Sequence, residues 1–431
     1  MIPASLRHLT RDGWLLFATR FIRLFAYGSV SVVLVFYLVG AGLSEPRIGT
    51  LLALTLAGDT VVSLYLTTRA DRLGRGRVLI AGALLMAAAG MAFAATSRFW
   101  LLLVAGTIGV ISPSGNEVGP FLSVEQAALS SVIPDRARTE VFAWYTLAGS
   151  VATALGALAA GTGTRMLQSG LMARADSYRA IVIAYAALGL LLAALFSRLS
   201  SAAEPQARGE RQRSPSMFAN LSGLDRSKDV VLRLSGLFAI DAFAGGFVIQ
   251  SFAAYWFYLR FGVDPGTLGV IFFWANILAG ISALLASTLA ARFGLIRTMV
   301  ATHLPSNILL ILVPLMPTLP LAIGVLLARF SISQMDVPTR QSYLMAVVSP
   351  EERSAAAGIT GVARTIGAAV SPLFVGVMFA RPSWINLPFF IAGTLKIVYD
   401  LLLYRAFVGV TPPEEEQRAE GRGQRGGTRD Q

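Results

Sequence analysis

Apolar runs of about 20 residues, separated by short charged or Pro/Gly-containing breaks, recur along almost the whole chain. At about 1.5 Å of rise per residue, each run is long enough to carry a helix across a hydrocarbon core about 30 Å thick. A buried soluble core has no need of so many. Composition agrees: 55% of the 431 residues are hydrophobic, 14% are charged and the mean hydropathy is +0.64, whereas a soluble domain carries about a quarter charged residues. Lipid offers the backbone no hydrogen-bond partner, so runs of this length are read as helices. The expected class is an all-α membrane protein with twelve transmembrane helices.

The runs fall at residues 14–39, 47–68, 78–96, 99–132, 141–166 and 178–196, then at 232–258, 265–290, 298–316, 320–348, 355–379 and 385–407. A polar stretch between the sixth and seventh holds Arg208, Glu210, Arg211, Arg213, Asp225, Arg226 and Lys228 and reads as a solvated linker. The expected organisation is a first six-helix half over 1–196, a cytoplasmic linker over 197–231, a second half over 232–407 and a disordered tail over 408–431. Arg7, His8 and Arg11 lead into a run longer than a signal-peptide core, so the first helix is expected to stay in the protein.

The net charge of +12 does not point to nucleic acid, because Lys and Arg sit mainly in the breaks. One side collects Arg7, Arg11, Arg69, Arg72, Arg75, Arg77, Arg136, Arg138, the linker, Arg292, Arg297, Arg353 and the tail; the other holds fewer, among them Arg47, Arg98, Arg165, Arg174, Arg179, Arg260 and Arg381. By the positive-inside rule both termini and the linker are expected in the cytoplasm, in a multi-pass protein of the cell (inner) membrane. The absence of cysteine excludes a disulfide framework and thiol catalysis. Two histidines, His8 and His303, make no metal-ligand spacing, and no phosphate-cradling Gly-x-x-x-x-Gly-Lys-Ser/Thr loop is present. No metal, no cofactor and no enzymatic activity are expected.

Two pairs of breaks repeat in the same order. Ala70-Asp71-Arg72-Leu73-Gly74-Arg75-Gly76-Arg77 follows the second run and Ala290-Ala291-Arg292-Phe293-Gly294-Leu295-Ile296-Arg297 follows the eighth, so that Arg72, Gly74 and Arg77 recur as Arg292, Gly294 and Arg297. Pro134-Asp135-Arg136 after the fourth run is echoed by Pro350-Glu351-Glu352-Arg353 after the tenth. Such order points to duplication, a known transporter architecture. On these residues the chain resembles the major facilitator superfamily, whose loop signature Gly-x-x-x-Asp-Arg-x-Gly-Arg-Arg/Lys is matched at Asp71, Arg72, Gly74 and Arg75; Thr67 replaces the first Gly and the last basic residue is displaced to Arg77. The resemblance covers residues 14–407. It implies two pseudo-symmetric six-helix bundles, a cavity lined by the first, fourth, seventh and tenth helices, and a cytoplasmic gate at Asp71, Arg72, Gly74 and Arg75 with Arg292 and Gly294 in the repeat. The plainer alternative is that Arg72, Arg75 and Arg77 only anchor the loop at anionic headgroups.

An ionisable side chain at the centre of a transmembrane helix costs at least about 2.5 to 3.5 kcal/mol on insertion scales, so it is kept where a cavity or partner compensates it. Asp59 lies mid-run in the second span; Glu117 and Glu125 lie in the fourth, Arg329, Asp336 and Arg340 in the tenth, Asp241 in the seventh, and Arg20 and Arg23 in the first. Pro113, Pro120 and Pro338 are expected to interrupt the fourth and tenth helices. By the resemblance, Arg20, Glu117, Glu125, Asp241, Asp336 and Arg340 face the cavity, where they bind a charged solute, pair, or take up a proton. Counted back from Pro134 and Pro350, Glu125 falls opposite Arg340 almost in register, and a structural Glu125–Arg340 pair is the bland reading. Others are read structurally: Lys396 with Asp400 as an i,i+4 pair, His303 as a hydrogen-bonded helix-end residue, Tyr255 to Tyr258 as an interfacial belt, and Gly149, Gly156 and Gly161 as close-packing sites.

The expected function is secondary active transport of a small solute, with protons and the lipid bilayer as further partners. Proton-coupled export of an organic compound is preferred, since the loop resembles that of twelve-helix drug antiporters. Against it, the fifth run lacks the antiporters' Pro, which only the eleventh offers in Gly367, Ser371-Pro372 and Gly376, and Ala105 stands where their fourth helix has Arg. Uptake of an anionic metabolite held by Arg20, Arg23 or Arg340, or a non-transporting receptor, are the alternatives. One chain holds both halves and can act as a monomer.

Overall fold

A computed structural model describes residues 6, 9–133, 138–204, 224, 227–349 and 352–410, with backbone alone at 71, 138, 139 and 354. The bulk of the expected linker and tail, the Pro134 and Pro350 echo, Arg7 and the Asp71 side chain lie outside the described residues.

All regular structure among the described residues is helical: α1 (Arg11–Gly40), α2 (Glu45–Thr67), α3 (Ala70–Leu73), α4 (Arg75–Ala95), α5 (Phe99–Ile108), α6 (Phe121–Val132), α7 (Arg138–Ser169), α8 (Arg174–Phe196), α9 (Lys228–Gly246), α10 (Gln250–Phe261), α11 (Pro265–Phe293), α12 (Leu295–Leu312), α13 (Leu319–Phe330), α14 (Asp336–Val347), α15 (Arg353–Phe379) and α16 (Leu387–Phe407). Ten stretches are long and apolar enough to cross a membrane, with α9 and α10 counted together, and α5 and α13 are shorter apolar helices. With α6 and α14 as their continuations, these account for the twelve runs.

Three runs are broken. Between α5 and α6 the chain passes through Pro113, Gly115, Gly119 and Pro120, with positive φ at both glycines. The freed backbone groups find partners: the Ser112 hydroxyl donates to the Asn116 carbonyl (2.7 Å), and the Ser251 hydroxyl donates to that of Pro113 (2.6 Å). The α13–α14 break is served by Ser282, which accepts from the Gln334 N–H (3.3 Å). Between α9 and α10 the break follows Gly245-Gly246 in a run that reads as continuous. Irregular backbone at this depth is tolerated only where protein satisfies it.

Contacts divide the chain into two compact units, Met1–Ser214 with Gly246–Gly280 and Ala368–Pro388, and Pro215–Gly245 with Ile281–Gly367 and Phe389–Gln431. In the first unit α1 packs along α7 and α8. A Cβ on Gly28 would stand 2.1 Å from the Thr153 carbonyl oxygen and one on Gly156 2.0 Å from that of Phe25, so α1 and α7 touch backbone to backbone. Two further crossings in this unit also join bare backbones. A Cβ on Gly49 of α2 would meet Gly376 Cα of α15 at 3.0 Å, and one on Gly161 of α7 would meet Gly269 Cα of α11 at 2.8 Å. Beside them the Arg165 guanidinium donates to Asp264 (2.8 Å) and the Tyr255 hydroxyl to Glu45 (3.1 Å). The second unit is centred on Phe238, Met299, Tyr343, Tyr399 and Leu403 from α9, α12, α14 and α16.

Candidate functional site

Each unit buries a network of charges. In the first, α1 places Arg20 and Arg23 one turn apart on the face that meets α6 and α7. Arg23, with no exposed surface, donates to Glu117 and to Glu125 (2.5 Å); Arg20 pairs with Glu117 and lies over the Tyr145 ring, 4.4 Å from its centroid. The Tyr145 hydroxyl donates to Glu125 (2.5 Å). Gly149 leaves the room the Arg20 guanidinium fills, since a Cβ there would stand 2.8 Å from Arg20 Nε. Of the expected residues, Arg20, Glu117 and Glu125 are thus brought together, and Arg23 and Tyr145 join them. Arg23 was legible as a charge at depth and as one candidate to hold an anion, and nothing in the sequence marked Tyr145.

Asp59 stands apart from this network. It is buried on α2, where Gly58 lets the helix press against the Thr107 carbonyl of α5. Its Oδ1 accepts from the Gly119 N–H (2.7 Å) and the Ser63 hydroxyl (3.4 Å). Among the described residues no cation lies within ion-pair distance of it.

In the second unit Asp241 of α9 accepts from Arg340 (2.9 Å) and from Lys396, and Asp336 lies 3.3 Å from Arg340 along α14. These pairings correct four sequence readings. Lys396 does not pair with Asp400: an i,i+4 pair stabilises by only about 0.2 to 0.5 kcal/mol, and Lys396 instead reaches a buried acid on another helix. Asp400 takes His303 (Nδ1, 2.7 Å) and the Asn307 amide (2.9 Å). His303 is not a helix-end residue, because α12 already starts at Leu295, after Gly294, and His303 lies buried in its third turn. Glu125 and Arg340 each have other partners, as above. Tyr255, Trp256 and Phe257 are buried, with Trp256 donating to Asn386 (2.9 Å), and only Tyr258 of the expected belt is exposed.

The two networks are related. Ile22-Arg23-Leu24-Phe25-Ala26-Tyr27-Gly28 reads in register with Ile240-Asp241-Ala242-Phe243-Ala244-Gly245-Gly246, and Glu125 falls within one residue of the register of Arg340. Arg23–Glu125 and Asp241–Arg340 are the same buried pair with the signs exchanged.

At the repeated loops, Gly74 and Gly294 have φ of +97° and +86°, which join α3 to α4 and α11 to α12 in the same way. Arg72 and Arg292 are exposed. Arg75 donates to Ser131 (2.9 Å) and to the Ala127 and Ala203 carbonyls (3.2 and 3.3 Å). Glu204, a residue no sequence signal marked, accepts from the N–H groups of Arg75 and Gly76 (2.7 and 2.9 Å), an acid at a helix N-terminus where the dipole favours it.

The solved structures that resemble this fold include the nucleoside transporter NupG (TM-score 0.71, 14% identity, 92% of this chain and 99% of that one) and a D-xylose–proton symporter (TM-score 0.69, 15% identity, 93% and 98%). An uncharacterized membrane protein of Saccharomyces cerevisiae, YJR124C, is 32% identical over 433 residues, covering 95% of this chain and 96% of the yeast protein. The family profile described as Major Facilitator Superfamily matches residues 16–335 and 234–429. Twelve apolar runs, the repeated loops, the helical fold and these matches agree, and the chain belongs to the major facilitator superfamily.

Proposed function

We propose that the chain is a secondary transporter that couples movement of a small solute to protons by alternating access, with Asp59 as the coupling acid. The observation that carries this reading is Asp59 itself: a buried carboxylate with two donors on one oxygen and, among the described residues, no cation within ion-pair distance. A buried charge without a partner is costly, so a carboxylate so placed is suited to alternate between protonated and ionised forms, whereas Glu125, held by Arg23 and Tyr145, has little freedom to do so. The two sequence halves rock about a midplane site, and the loop from Asp71 to Arg77 latches the cytoplasmic side.

Proton movement in reconstituted proteoliposomes tests the coupling. Solute addition is expected to drive proton flux in the intact protein and at least ten-fold less in Asp59→Asn, with exchange of labelled solute against unlabelled solute retained. Solute-driven proton flux undiminished in that variant would remove Asp59 from the mechanism. The sign of the flux relative to solute distinguishes export from uptake.

A further inference from the structure

The second unit carries more positive charge than its carboxylates neutralise. Around Asp241, Asp336 and Asp400 stand Arg340, Lys396, Arg329 of α13 and Arg364 of α15, four fixed cations to three acids, with His303 in addition. Arg340 and Lys396 are paired. Arg329 and Arg364 are not: among the described residues neither makes a hydrogen bond or an ion pair, although both lie within electrostatic reach of Asp241 and Asp336. Each has its Nε buried without an acceptor, and the buried Tyr399 hydroxyl between Lys396 and Asp400 on α16 also lacks one. Arg329 has the Phe330 ring for company (5.0 Å), and Arg364 has the like charge of Arg340 as its strongest electrostatic neighbour.

Guanidiniums without an ion-pair partner in a membrane span are expensive; these two are partly buried, and donors without acceptors are the complement of a group rich in acceptors. Planar guanidinium matches carboxylate and phosphate oxygens in pairs. We infer that Arg329 and Arg364 form the solute's oxyanion site, so that the transported molecule is a small organic anion bearing a carboxylate or a phosphate. This rests on the transport reading above, and it moves the anion contact away from Arg20, Arg23 and Arg340, whose charges are already used.

Two measurements on the purified full-length protein test it. In thermal unfolding without solute, Arg329→Gln and Arg364→Gln are expected to melt at or above the wild-type temperature, since each removes an unpaired charge, while Arg340→Gln melts well below it. Loss of stability in both variants to the level of Arg340→Gln would make them structural and overturn the site. With succinate, benzoate and glucose 6-phosphate as probes, at least one is expected to raise the melting temperature, with apparent affinity reduced ten-fold or more in each Gln variant and partly restored by Lys. A response to carboxylates alone or to the phosphate alone identifies the oxyanion. Absence of any anion response that depends on both arginines overturns the site. Stabilisation and solute-driven proton flux produced instead by uridine or tetraphenylphosphonium would reject the anion while leaving transport in place, whereas proton flux driven by none of these solutes is the failure of the transport reading.

Discussion

Arg23 has no surface in contact with solvent and two glutamates within reach of one guanidinium. Such a group is more telling when removed than when present. A buried pair offsets its own desolvation only roughly, but taking away one partner leaves the other charged and dry, at about 3 to 5 kcal/mol. Arg23→Gln is therefore expected to lower stability by that order, read as the unfolding midpoint in detergent; a loss below about 1 kcal/mol would mean that water reaches Glu125. Asp264, in the turn before α11, gives a pH dependence. Partial burial acts to raise its carboxyl, but hydrogen bonds from Thr267 and Arg165 outweigh that and hold it at about 2, below the unfolded value of about 3.9. A depressed carboxyl stabilises above its unfolded pKa and loses that contribution as pH falls through about 2. The melting difference between wild type and Asp264→Asn should be constant from neutral pH to about 5 and vanish near 2; with Arg165 and Asp264 58% and 52% exposed, screening keeps it under about 1 kcal/mol. The charges at depth were legible in the sequence because each stands out of an apolar run. Their partners were not, since Lys396–Asp241 and His303–Asp400 join residues far apart in the chain, and Arg364 was passed over within a run whose Gly367, Ser371-Pro372 and Gly376 drew attention to the antiporter likeness.

Helices were the more legible level. Length and hydropathy located every spanning element, and Pro113, Pro120 and Pro338 announced the breaks in the fourth and tenth runs. The break after Gly246 went unread, because two glycines in an apolar run are equally compatible with close packing, and here Gly246 does pack: a Cβ would stand 2.7 Å from the Ala368 carbonyl oxygen. The glycines give two expectations, one at a turn and one at a crossing. Gly294 sits at φ +86° and ψ 161°, a region essentially confined to glycine, so Gly294→Ala should cost about 1 to 3 kcal/mol in unfolding measurements. Gly161→Leu would drive a side chain into the α11 backbone at Gly269. If that crossing closes and opens during turnover, transport falls at least ten-fold while Gly163→Leu, where a Cβ meets only Ile181 at 3.9 Å, has little effect; equal rates in both would show that the crossing is static.

Orientation belongs to the whole molecule, and it follows from the placement of Lys and Arg rather than from any contact. The chain has no cysteine, so a single introduced thiol reports one position. Leu171, 97% exposed between α7 and α8, lies on the side with fewer basic residues, and Ser201, after α8, lies on the richer side. Leu171→Cys is expected to react with a membrane-impermeant maleimide in intact cells and Ser201→Cys only after permeabilisation; the reverse pattern would invert the topology. The exchanged signs of Arg23–Glu125 and Asp241–Arg340 bear on how such a molecule arises. Changing Arg23 to an acid in one step would set it against Glu117 and Glu125 with no base but Arg20, and changing Glu125 first would set two bases against each other. No single replacement leads from one half's polarity to the other's through a stable intermediate. Exchanging the polarity of either pair therefore requires both of its members to change together, since either change alone leaves like charges buried against each other.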